Sequence, residues 1–164
     1  MNVLVAVDMG PGSDKVLAYA ADLAKQTGGK VQALHIITEE EEEDRRHKPG
    51  STTEPLDEIL RVATEADAEH SEYVDQMLAK TRLELVNRLI ELGVAESSIT
   101  AITRTGEPVQ EIHRVAAETD FDAFVIGLRH RSRVGKFLLG SDLQELLLSS
   151  DRPVIAVPIG SVGR

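Results

Sequence analysis

Residues 3–37, VLVAVDMGPGSDKVLAYAADLAKQTGGKVQALHII, carry the pattern on which the fold turns. Val3–Val7 is a short unbroken apolar run, rich in β-branched side chains and stopped by Asp8. A run without polar alternation suits a strand covered on both faces, as in a parallel sheet. Gly10-Pro11-Gly12-Ser13 follows as a turn; Leu17, Ala20, Ala21 and Ala24 then recur at helical spacing until Gly28-Gly29 closes the segment. Val31–Ile37 is a second apolar run. Strand, helix and strand in so short a stretch form a crossover unit, the connection that joins parallel strands.

The same alternation continues downstream. Ile99–Thr103 reads as a third, weaker strand. Gly106-Glu107-Pro108 opens a helix with Val109, Ile112 and Ala116 on one face, and Phe121–Ile126 is a fourth strand ending in Gly127. A helix from about Ser141 to Ser149 and a fifth strand over Pro153–Val157 complete the chain. Five strands alternating with helices predict an α/β fold with a parallel sheet and right-handed crossovers, although the pattern leaves the strand order open.

The connection between the second and third strands is longer than one helix requires. It begins Glu39-Glu40-Glu41-Glu42-Glu43-Asp44 and continues through Arg45, Arg46, His47 and Lys48 to Pro49-Gly50. A block of like charge reads as a solvated segment, or, as a long connection in a compact domain, as a lid over a site at the sheet edge. From Pro55 the pattern is helical: Leu56, Ile59, Leu60 and Ala63 share a face, and Val74, Leu78, Leu85, Leu89 and Leu92 continue it to Gly93. The expected organisation is one domain over 1–159 with an acidic insertion at about 38–69.

Composition narrows the function. The chain has 164 residues, 28 acidic against 18 basic, and a formal charge of −10. It contains no Cys, which excludes thiol catalysis, a disulfide framework and cysteine-ligated zinc. With 3% aromatic residues and no Trp it lacks stacking platforms for single strands, and its charge opposes attraction to nucleic acid or anionic lipid. No apolar stretch has the length of a membrane span, and Met1-Asn2-Val3-Leu4-Val5 lacks the features of a secretory signal. The expectation is a cytoplasmic protein with no nucleic-acid or membrane partner.

Against this acidic background one stretch is basic. Residues 128–136 contain Arg129, Arg131, Arg133 and Lys136 and no acid. They follow the fourth strand and lead to Gly140-Ser141 at a helix start. In open α/β sheets that rim holds ligands, and free N–H groups at a helix N-terminus favour anions. Phosphate is the anion this pattern suits. The stretch is not a Walker A loop, since His130 occupies its first glycine position and Phe137 follows Lys136. Met9-Gly10-Pro11-Gly12 is not a dinucleotide fingerprint. The five His residues form no metal-binding pair of the HxxxH type. No side chain is evidently placed to activate water.

A first strand ending in Asp8, glycines spaced as Gly127 and Gly140 before Ser141, and a final Pro-Val-x-x-Val strand resemble the universal stress protein family. Its pattern is G-x2-G-x9-G-[ST], and His130 stands at the middle glycine. The resemblance covers about 1–37 and 70–159. It implies a Rossmann-like five-stranded parallel sheet of order 3-2-1-4-5 with helices on both faces. It also implies an ATP site: Ala6, Val7 and Asp8 near adenine and ribose, Ile36 contacting adenine through its backbone, and Ile126 and Gly127 bordering ribose and phosphates. Gly140 and Ser141 would hold phosphate. From their charge Arg129, His130 and Arg131 would flank it, with Asp142 beside a Mg²⁺ ion carried on the phosphates. The implied activity is a stress-responsive binding switch with slow ATP hydrolysis at most, rather than an enzyme.

The residues also allow plainer uses. Asp8 can accept hydrogen bonds in the turn after its strand, Ser141 and Gln144 match a capping box, and His35 reads as a core-edge histidine. The rival function is a nucleotide-free scaffold that forms a homodimer through the last strand and contacts an unknown protein partner; AMP or cyclic AMP in place of ATP is a third possibility.

Overall fold

The computed structural model describes residues 1–38, 56–129 and 149–160, with side chains except those of 56–70 and Arg129. In chain order these form β1 (Val3–Ala6), α1 (Ser13–Thr27), β2 (Val31–Ile37), α2 (Leu56–Glu91), a 3₁₀ turn (Glu96–Ser98), β3 (Ile99–Thr105), α3 (Pro108–Glu118), β4 (Ala123–Arg129) and β5 (Val154–Ile159). The strands form one sheet of order β3-β2-β1-β4-β5, every adjacent pair parallel. The helix expected from Ser141 lies outside the described residues apart from its last position, Ser149, which is helical.

The central strand β1 explains its own composition. All four of its residues are buried because helices cover both faces. On one face Val3 and Val5 join Val16, Leu17, Ala20, Ala21 and Ala24 of α1 and Leu85 and Leu89 of α2. On the other, Leu4 and Ala6 join Leu34, Ile36, Phe124 and Ile126 around Ile112 and Val115 of α3. The small residues of α1 allow it to lie close to the sheet, and Gly28, with φ 65°, ends it in the left-handed conformation that L side chains avoid.

Strand ends differ from the sequence expectation where a neighbour extends or shortens them. β1 stops at Ala6, although Val7 still donates to the Leu34 carbonyl at 3.0 Å. β3 runs two residues past Thr103 because Arg104 and Thr105 pair with Ile36 and Ile37. β4 begins at Ala123 rather than Phe121 and continues through Gly127 to Arg129, since Leu128 and Arg129 pair with Pro158 and Ile159. β5 accordingly shifts to Val154–Ile159, with Pro158 inside it; an edge strand tolerates the missing N–H. α2 crosses position 69 without a break. At 36 residues, about 54 Å, it is far longer than the seven-residue β3 it packs against. Among its described side chains, burial begins at Met77.

Candidate functional site

The parallel register brings the carboxyl ends of β1, β2 and β4 to one rim. Ala6 lies between Leu34 of β2 and Ile126 of β4, so the chain beyond Ala6 emerges between two longer strands. That chain is Val7, Asp8 and the turn into α1. Met9 has φ 58° and Gly12 φ 100°, two left-handed residues that reverse the backbone within five positions. The turn is held by Asp8. Its Oδ1 accepts from the Gly10 N–H at 2.9 Å and from the Ser13 hydroxyl at 2.8 Å. A carboxylate anchored in this way is a fixed acceptor at the rim, suited to hydroxyl or N–H donors of a ligand.

Ser13 was not singled out by sequence, yet it is 1% exposed and fixes that carboxylate. The two residues are five apart across a Gly-Pro-Gly turn, a separation with no periodic signature. Lys15 is a second omission: its Nζ donates to the Pro158 carbonyl at 2.7 Å, placing a cation at the same rim and tying α1 to β5. His35 is buried at 3% exposure with Nδ1 2.8 Å from the Val7 carbonyl oxygen, so it braces the end of β1, as a core-edge histidine should.

The remaining sequence-selected residues divide sharply. Ala6, Val7, Ile36 and Ile126 are buried, and their backbones lie in or beside the strand ladders, where the Val7 N–H donates to Leu34 and its carbonyl meets His35. Gly127 is half-buried, and a Cβ there would lie 2.9 Å from Ile159 Cδ1 and 3.1 Å from Val16 Cγ2. Its missing side chain is therefore used by packing between α1 and β5. Ala6, Val7, Asp8, Ser13, Val16, Gly127 and Ile159 enclose a cavity of about 10 Å³, room for a water molecule and not for a nucleobase. Arg129 ends β4 beside Ile159. His130, Arg131, Gly140, Ser141 and Asp142 lie outside the described residues. Among the described residues no group of three or more His, Asp or Glu could hold a metal ion, and no helix is long and apolar enough to cross a membrane.

A model of the universal stress protein family matches residues 1–158. The chain belongs to the universal stress protein family. A universal stress protein of Mycolicibacterium smegmatis is 45% identical over 51 residues, 31% of this chain and 39% of that relative's length. Two solved members share the fold. One, from Archaeoglobus fulgidus and in complex with dAMP, is 22% identical, with 95% of this chain and 96% of that chain covered and a TM-score of 0.55. The other, in complex with cAMP, is 17% identical, with 98% of each chain covered and a TM-score of 0.62. The sheet order seen here, 3-2-1-4-5, is the one the family resemblance implied.

Proposed function

We propose that this universal stress protein binds an adenine nucleotide, ATP with Mg²⁺ on its phosphates, at the carboxyl rim of β1 and β4. The carrying observation is the Asp8 carboxylate, fixed by Gly10 and Ser13 where the central strand ends between its longer neighbours. In this reading Asp8 accepts from ribose hydroxyls, and the Ile36 backbone meets the base. Ile126 and Gly127 border the ribose, and the stretch from Arg129 through His130 and Arg131 to Gly140 and Ser141 takes the phosphates. The metal would sit on the phosphates beside Asp142, its charge offsetting a carboxylate near an anion. Two members with the same fold were solved with adenine nucleotides, which supports the ligand class.

The output is a ligand-dependent conformation or partner-binding state in the cytoplasm, with ATP hydrolysis slow. Equilibrium binding of labelled ATP to the full chain, challenged with AMP and cyclic AMP, tests the reading. Saturable binding below millimolar ATP, displaced best by ATP and lost in a Gly140/Ser141 double substitution, is the expected result. Absence of saturable binding removes it, and stronger displacement by cyclic AMP reassigns the ligand.

A second reading has its own observation. Gly127 and Gly12 both lie against Ile159 at the end of the edge strand β5, so both glycines serve packing. Ala156 and Pro158 of that strand are exposed. As a nucleotide-free scaffold the chain would pair with a second copy through β5, and its association would be indifferent to added ATP.

A further inference from the structure

The amino ends of β4 and β5, at the far side of the sheet from the nucleotide rim, border an open cavity of about 420 Å³. That is the size of a small-molecule pocket. It lies between the last turns of α3 and the turn that leads into β5, and its floor is apolar: Ile112, Phe121 and Phe124 are 1%, 4% and 3% exposed. His113, Ser149 and Arg152 make a polar wall. His113 Nε2 lies 3.0 Å from the Ser149 hydroxyl oxygen, which links α3 to the end of the last helix.

Arg152 is the residue whose use is incomplete. One terminal nitrogen of its guanidinium donates to the Phe121 carbonyl, and the group sits 5.4 Å from the centre of the Phe121 ring. Ser150 fixes the backbone beneath it: its hydroxyl donates to the Arg152 carbonyl at 2.9 Å and accepts from the Arg152 N–H at 3.2 Å. The head group is thus oriented, with further N–H donors to offer. Among the described residues its closest ion pair is with Asp151, 3.9 Å from Nε and 95% exposed, too long for a hydrogen bond. Two neighbouring acids are engaged elsewhere, Glu118 with Arg104 and Asp122 with the Asn2 N–H.

We propose that this cavity binds a small monocarboxylate with an apolar body. The carboxylate takes the remaining Arg152 donors beside the His113–Ser149 pair, and the body lies on Ile112, Phe121 and Phe124. A carboxylate matches the guanidinium fork with two parallel hydrogen bonds. Inorganic phosphate would leave the apolar floor unused, and a neutral hydrocarbon would leave the guanidinium unpaired. The nucleotide reading uses the carboxyl ends of the strands, so neither site depends on the other.

Naphthylacetate, titrated into the full-length protein and followed by backbone amide NMR, tests the proposal. Saturable shifts at Ala116, Ala117 and residues 149–152 are expected, with half-saturation below about a millimolar. Naphthylmethylamine, a cation of similar shape, should bind at least about tenfold more weakly, as loss of a charge-assisted bond predicts. Arg152→Gln should weaken the carboxylate by about the same factor. Ala116→Leu, which narrows the cavity and keeps Arg152, should weaken it too, and decides the matter if the first variant does not fold. Mg²⁺–ATP should not displace the carboxylate. Absence of saturable shifts, full affinity in either folded variant, or displacement by Mg²⁺–ATP overturns the proposal. So does equal or tighter binding of the amine, which would mean that the carbonyl ends of the two helices set the sign of the site.

Discussion

Gly127 shows how a residue selected as a ligand contact also serves the core. The sequence marks it as the first glycine of a phosphate pattern; the structure shows Val16 and Ile159 occupying the space a side chain would need. Gly127→Ala should therefore destabilise the fold by about 1–3 kcal/mol, the usual range for overpacking. Ile159→Val removes the Cδ1 atom that lies 2.9 Å from the new methyl position, so the double variant should regain part of that loss in urea unfolding. A Gly127→Ala protein as stable as the parent would show that the close approach is not tight. Asp8 was readable for a simpler reason: an acid ending a buried apolar run has few structural uses, and both of its suggested ones involve hydrogen bonds at that position. Ser13 was not readable, because its partner is set by a turn whose shape depends on Met9 and Gly12 at positive φ.

Among the elements, α3 illustrates a boundary that local chemistry fixes. Glu107 precedes Pro108 at the helix start, and its two carboxylate oxygens accept from the Val109 and Gln110 N–H groups at 3.2 and 2.8 Å. Glu107→Ala should cost about 1 kcal/mol in chemical denaturation with an unchanged m-value, and Glu107→Ser should recover much of it. An unchanged midpoint in the alanine variant would mean water replaces the cap at no cost. Boundaries without such a cap were read less well. Gly127 looks like the end of β4 because glycine is a weak strand residue, but pairing of Leu128 and Arg129 with Pro158 and Ile159 carries the strand further. β3 was underestimated for the same reason: its last two residues are strand only because β2 lies alongside.

For the whole molecule, charge is the deciding property. A net charge of −10 repels a polyphosphate at long range, so the proposed ATP binding would rely on local cations, Lys15 and those that begin at Arg129, and on metal carried by the ligand. ATP affinity should therefore weaken several-fold between low and high salt while adenosine, lacking phosphate, changes little; equal salt dependence for the two would place the phosphates away from the cations. The sheet order was legible only through the family resemblance, because alternation of strands and helices specifies parallel pairing and not sequence of strands. The phosphate half of the proposed site rests on the sequence alone, because residues 130–148 lie outside the described ones. The most direct test of the account is isothermal calorimetry of the full chain with Mg²⁺–ATP, beside Asp8→Ala. The account predicts one saturable site of sub-millimolar affinity, weakened about tenfold by the substitution, close to the loss of one hydrogen bond to a charged group. A flat titration of the unaltered chain, or equal affinity in both proteins, would contradict it.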